Sequence, residues 1–157
     1  MISRRDWLRI TAGGLALGAT SATSATRLFA YARAKEATVY KSPSCGCCKK
    51  WVEHMQKSGY NVTVHDMEDV GPIKKRYGVP DALASCHTAI VTSGYIIEGH
   101  VPADVVDKLV AQAPKDIIGL AVPGMVTGSP GMEGGTPEKY DVVAFDKAGK
   151  TKVYARR

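Results

Sequence analysis

The chain has 157 residues, 45% of them hydrophobic and 23% charged, and carries a formal net charge of +6. That composition is ordinary for a globular protein and long enough for one domain with a modest core, while no apolar run reaches the ~18 residues of a transmembrane helix. The charge does not point to nucleic acid: residues 1–34 hold five Arg against one Asp, so the rest of the chain keeps only +2, without basic runs interleaved with aromatics.

The N-terminal segment reads as an export leader. "SRRDWLRI" pairs Arg4 with Arg5 and places Trp7 and Leu8 just behind. A weakly apolar stretch rich in Ala, Gly and Thr follows, then small residues two apart at Ala30, Ala32 and Ala34. A charged start, a short apolar middle and an A-x-A end make a secretion signal, and the paired arginines resemble the twin-arginine type. Its glycines, serines and threonines would make a poor helix. The expected boundaries are a leader over 1–34, cleaved after Ala34 or else Ala32, and a functional domain over 35–157. Export places that domain in the periplasm, where disulfides persist, with no membrane attachment once the leader is removed.

"ATVYKS" (37–42) alternates like a strand, and "SPSCGCC" is a turn punctuated by Pro43 and Gly46. "CKKWVEHMQKSG" has helical spacing through Trp51, Val52 and Met55, with Gly59 as its stop. "YNVTVHDM" (60–67) predicts a second strand, and "VGPIKKRYGV" a short helix opened by Pro72 and closed by Gly78. "HTAIVTSGYIIEGHV" reads as a hairpin around Ser-Gly, and "PADVVDKLVAQAP" as a helix bounded by prolines. Residues 114–138, rich in Gly and Pro, read as one long loop of the kind that is functional or disordered. "YDVVAFDKAGKTKVYA" predicts a terminal hairpin. The order β-α-β-α-β-β-α, with cysteines between the first strand and first helix, predicts an α/β thioredoxin-like fold. In such a fold the loop before the third strand, which holds Cys86 and His87, faces the first βα turn.

Cys45, Cys47 and Cys48 crowd the head of the first predicted helix, where free N–H groups and the dipole favour thiolates. Lys49 and Lys50 add positive charge. Two chemistries are served by such a cluster. A thiol–disulfide oxidoreductase would use Cys45 as nucleophile and Cys48 as resolver, leaving Cys47 superfluous and Cys86 in the facing loop as a competitor for the intermediate. A soft-metal site would use all of the sulfurs. Zinc ordinarily takes two separated C-x-x-C pairs and iron–sulfur clusters take more widely spaced thiolates, so Cu(I) fits the pattern best. Structural disulfides are a third reading, but a domain of about 120 residues needs no staples. His87 is the histidine with a positional argument for the site. Met125 and Met132, each set between turn residues, are open to a thioether-ligand or a gap-filling role. Met55 reads as core, His65 as surface, and His100 as a turn residue capping the next helix.

"CGCCKKW", "YGVPDALASCHTAIV", "GYIIEGHVPA", "IIGLAVPGMVTGSPGME" and "YDVVAFDKAGK" resemble the CopG-like copper-resistance family, small exported proteins that carry a domain of unknown function, DUF411. The likeness runs from about residue 37 to the C-terminus. It implies a thioredoxin-like fold and a cysteine-bound copper site holding a multi-copper cluster, with a role in periplasmic copper redox handling alongside other copper-handling proteins. Carried over residue by residue, its ligands are Cys45, Cys47, Cys48 and Cys86. It leaves open whether the protein is an enzyme.

Overall fold

The computed structural model describes residues 34–157; of the predicted leader, all but Ala34 lies outside them. Among the described residues the architecture is mixed α/β, with seven strands in one sheet and three helices. The elements are β1 (Glu36–Lys41), α1 (Gly46–Lys57), β2 (Asn61–Asp66), α2 (Gly71–Arg76), β3 (His87–Val91), β4 (Ile96–Glu98), α3 (Ala103–Gln112), β5 (Gly119–Ala121), β6 (Asp141–Phe145) and β7 (Thr151–Arg156). The sheet order is β2-β1-β3-β4-β5-β6-β7. β1–β2 and β4–β5 are parallel, and the other neighbours antiparallel. No described helix is long and apolar enough to cross a membrane.

Alternation along the strands divides the packing between two faces. Val39, Ala89, Val91, Ile97 and Leu120 join one core with Trp51, Val52 and Met55 of α1 and Val105, Val106 and Leu109 of α3. Trp51, Met55 and Leu109 are each fully buried, worth roughly 1.5–3 kcal/mol apiece for side chains of this kind. Met55 is thus a core residue, as expected. Ile96, Ala121 and Phe145 point the other way, onto Val79 and Leu83. β2 lies at the sheet edge, where Val64 and His65 are exposed and His65 stacks on Tyr40.

Residues 114–138 are not one loop. They contain β5, which pairs with β4 and β6 through Ile96–Gly119 and Gly119–Phe145. A three-residue Gly-Leu-Ala strand is too short to show any alternation, and its environment, covered on both sides, supplies what the sequence lacks. Gly119 has no room for a side chain: a Cβ there would stand 2.4 Å from the Phe145 ring and 2.5 Å from the Ile96 carbonyl.

The topology sorts the loops. β1 ends at Lys41 opposite the first residue of β3, His87. Thr88 of β3 lies opposite the last residue of β4, Glu98, which in turn lies beside the last residue of β5, Ala121. The β1–α1 turn, the entrance to β3, the exit of β4 and the exit of β5 therefore gather at one end of the sheet.

A buried carboxylate knits that end together. Glu98 is fully buried. Its Oε1 accepts from Lys74 Nζ of α2 at 2.5 Å and from the Ser85 backbone N–H at 2.6 Å, and its Oε2 accepts from the Thr88 hydroxyl at 2.7 Å. Burial pushes the Glu98 carboxyl above its ordinary value, and the Lys74 ammonium and the other donors pull against that. Removing one partner of a buried ion pair strands the other. Lys74→Met should therefore cost about 3–5 kcal/mol in urea unfolding, and adding Glu98→Gln should recover a large part of it. An unchanged midpoint for Lys74→Met would show that the pair does not hold this end of the sheet.

Candidate metal and redox site

The cysteines meet where the topology gathers the loops. Cys45 is the N-cap of α1, and its Sγ accepts from the Cys48 backbone N–H at 3.3 Å. Cys47 and Cys48 follow in the first helical turn, Cys47 half-buried and Cys48 fully buried. Cys47 Sγ lies 3.4 Å from Cys45 Sγ. A disulfide joins Cys45 to Cys48, while Cys47 and Cys86 are free thiols. Cys86 precedes β3, and its carbonyl oxygen lies 3.9 Å from Cys48 Sγ. The Sγ atoms of Cys45, Cys47, Cys48 and Cys86 all fall within 4.8 Å of one another. The distant sulfur does fold back onto the helix head.

Cys86 is held from several sides. Its neighbour Ser85 is fixed by Glu98 and donates from its hydroxyl to the Gly124 carbonyl at 2.7 Å. Burial, with Cys47 beside it, pushes the Cys86 thiol up to about 11. The thiol therefore stays protonated at neutral pH, and a soft metal binding there would displace the proton.

His87 and His100 stand behind Cys86, both fully buried. His100 Nε2 is 3.0 Å and His87 Nδ1 3.6 Å from Cys86 Sγ. The His87 ring packs on Trp51 at 4.4 Å and meets the edge of His100 at 5.1 Å. His100 is not the expected helix cap. α3 is capped from a distance by His54 of α1, whose Nε2 accepts from the Ala103 backbone N–H at 3.0 Å. His100 instead donates from Nδ1 to the Pro130 carbonyl at 2.7 Å, because the chain leaves β4 toward the cysteines rather than toward α3. No local motif in "EGHVPA" signals this; only the β3–β4 pairing does.

The Gly/Pro-rich segment closes the site. Gly131 is buried at φ +88°, and a Cβ there would lie 2.7 Å from the Cys47 carbonyl oxygen and 2.9 Å from the Trp51 backbone nitrogen. A shallow cleft beside Cys47 is lined by Lys50, Met132 and Glu133. Met132 thus shares a cleft with Cys47, whereas Met125 is 62% exposed and does not line that cleft.

Residues 83–132, from the approach to Cys86 through to Met132, match a family model described as a protein of unknown function, DUF411. Two solved structures, both titled copper resistance protein CopG, are similar to the chain. One, form 2, has a TM-score of 0.74 at 41% identity, covering 79% of this chain and 98% of its own. The other, form 1, has a TM-score of 0.73 at 41% identity, covering 78% and 96%. No curated protein matches.

Two outcomes follow from this geometry. Gly131→Ala should force the loop off the head of α1, costing about 1–3 kcal/mol of strain in denaturant unfolding; full stability would mean that the loop does not press on Cys47. His54, His87 and His100 are each held below the ordinary imidazole value, chiefly by burial. The unfolded chain therefore binds protons first as pH falls. Stability owed to the neutral rings is complete above about pH 6.5 and drains away below it, through the depressed folded values. The urea midpoint of metal-free protein should drop between about pH 7.5 and about pH 5.5; a flat profile would show that these rings are not buried neutral.

Proposed function

The chain belongs to the CopG-like DUF411 family, and on that premise we propose that it is a periplasmic copper-resistance protein whose four-cysteine pocket takes Cu(I) as its cargo. One observation carries the reading: four sulfurs from two distant segments lie within 4.8 Å of one another. Sulfur donors select soft cations, and Cu(I) accepts two or three thiolates and lets thiolates bridge, so a pocket this dense suits a cluster of several ions. Reduction of the Cys45–Cys48 disulfide frees two of the four sulfurs, so the reduced protein is the copper-loading form. The βαβ unit β1-α1-β2 and the ββα unit β3-β4-α3, with the sulfurs at the first βα turn, support a thioredoxin-like framework. The arginine pair and A-x-A end of residues 1–34 support export by the twin-arginine route.

The disulfide itself favours a second reading, a thiol–disulfide oxidoreductase working through Cys45 and Cys48. In that reading the half-buried Cys45 is the nucleophile and the buried Cys48 the resolver.

Anaerobic Cu(I) titration of the reduced chain, with X-ray absorption, separates the two. Copper handling predicts sulfur-only or sulfur-dominated coordination, a short Cu–Cu vector if a cluster forms, and at least about a tenfold loss of affinity in Cys86→Ser, the equivalent of about 1.4 kcal/mol. Wild-type affinity in Cys86→Ser, together with rapid insulin reduction by the unmutated chain, would overturn it in favour of the exchanger.

A further inference from the structure

Closing Cys45–Cys48 leaves Cys47 and Cys86 as free thiols. An exchange carried by the closed pair gives neither of them a part. Both are half-buried, and they approach from separate segments, Cys47 in the first turn of α1 and Cys86 just before β3. Their sulfurs lie within 4.8 Å of each other.

The backbone that carries Cys86 is held against the helix head. The Ser85 N–H is fixed by Glu98 and the Ser85 hydroxyl by the Gly124 carbonyl. The Cys86 carbonyl oxygen stands 3.9 Å from Cys48 Sγ, and the next residue, His87, is in register with Lys41. The two free thiols therefore meet without a search, the arrangement that gives intramolecular reactions their high effective concentration. A disulfide needs the sulfurs drawn to about 2.05 Å, a movement that rotation about the two Cα–Cβ bonds supplies.

The two thiols differ in what surrounds them. Cys47 opens onto the cleft lined by Lys50, Met132 and Glu133, whose volume of about 380 Å³ is in the range of small-molecule sites. It is the thiol that an outside reagent reaches first. Cys86 has His100 behind it. The Pro130 carbonyl can only accept, so Nδ1 of His100 carries the proton and Nε2 turns its lone pair toward Cys86 Sγ at 3.0 Å. A proton leaving Cys86 has an acceptor already in place.

We propose that Cys47 and Cys86 are a second redox pair, closed into a disulfide by a low-molecular-weight disulfide that enters through the cleft. Cys47, its proton given up to water, attacks one sulfur of the incoming disulfide. That S–S bond breaks; one half leaves as a thiolate that takes a proton from water, and the other half stays on Cys47. Cys86 then attacks Cys47 Sγ, its proton passing to His100 Nε2 and on to the second departing thiolate. Two protein thiols are oxidised and one external disulfide is reduced to two thiols. The protein thus has three redox levels, with four thiols, two or none. The second bond staples the approach to β3 onto α1 and leaves no thiol in the pocket. That it shuts off copper loading rests on the function proposed above; the bond itself does not.

The full chain, reduced and metal-free, is equilibrated anaerobically with rising ratios of oxidised to reduced glutathione, quenched in acid and alkylated with N-ethylmaleimide. Intact mass should show four alkylated thiols, then two, then none, the last step without a retained glutathione. Peptide mapping should find Cys47 joined to Cys86 beside Cys45–Cys48. Cys47→Ser and Cys86→Ser should each stop at one disulfide. The double variant Cys45→Ser/Cys48→Ser should still close one bond, which decides the matter should either single variant fail circular dichroism as a folding check. Two thiols that stay alkylatable at the most oxidising ratio, two persistent glutathione adducts, or any other pairing overturns the proposal. A Cu(I) titration of the reduced chain keeps the two readings apart. Cysteine-dependent Cu(I) binding without the second bond removes this pair and leaves the proposed function standing; the second bond without such Cu(I) binding does the reverse.

Discussion

The antiparallel pairing of β1 with β3, Lys41 opposite His87, is the constraint on which the site depends. It brings the start of one strand beside the end of another, and so brings the residue before β3 beside the residues after β1. Side chains along a strand alternate with period two, so a slip of one residue would turn His87 from the α1 face to the opposite face. It would also carry Cys86 out of line with the head of α1. The apolar alternation of Ala89 and Val91 onto the α1 core holds the register against such a slip.

Around that pairing the molecule spends polar groups where its core would otherwise be apolar. Glu98 fixes the backbone just ahead of Cys86, Lys74 balances its charge, and the 122–132 segment is tied in through Gly124 and Pro130. Each of these groups is costly to bury and each is satisfied by hydrogen bonding. His87, with its unpaired nitrogen, is the exception. Departures from an otherwise consistent core tend to mark functional ground. Here the exception stands among the buried polar side chains Lys41, Thr88, Glu98 and His100 at one end of the sheet.

The same placement serves two kinds of sulfur chemistry. A helix N-terminus supports both a reactive thiolate and a metal-bound one, and the disulfide joins two residues one helical turn apart. Cys86 breaks this equivalence. It comes from another segment, lies within reach of all three helix sulfurs, and has nitrogen donors at its back. An exchange reaction through Cys45 and Cys48 has no need of a fourth sulfur from a distant segment, whereas the copper reading proposed above has a use for it.

Much of this was legible from residue types and their spacing. The strand and helix periodicities, the Ser-Gly hairpin turn, the short Pro72 helix and the crowding of Cys45, Cys47 and Cys48 are local patterns, each contained in about a dozen neighbouring residues. So was the fold-based expectation that Cys86 would return to them. What remained hidden was whatever depends on partners far away in the chain. β5 is three residues long and is a strand because Ile96 and Phe145 flank it. His100 looked like a cap and is a buried partner of Cys86, while His54 caps a helix it does not belong to. The sequence by itself narrowed the chemistry to that of clustered sulfurs, because sulfur softness and helix-head position are properties of the residues and their near neighbours. Only the tertiary structure decided which histidines lie beside Cys86, because that follows from strand register and loop packing, which no local pattern encodes.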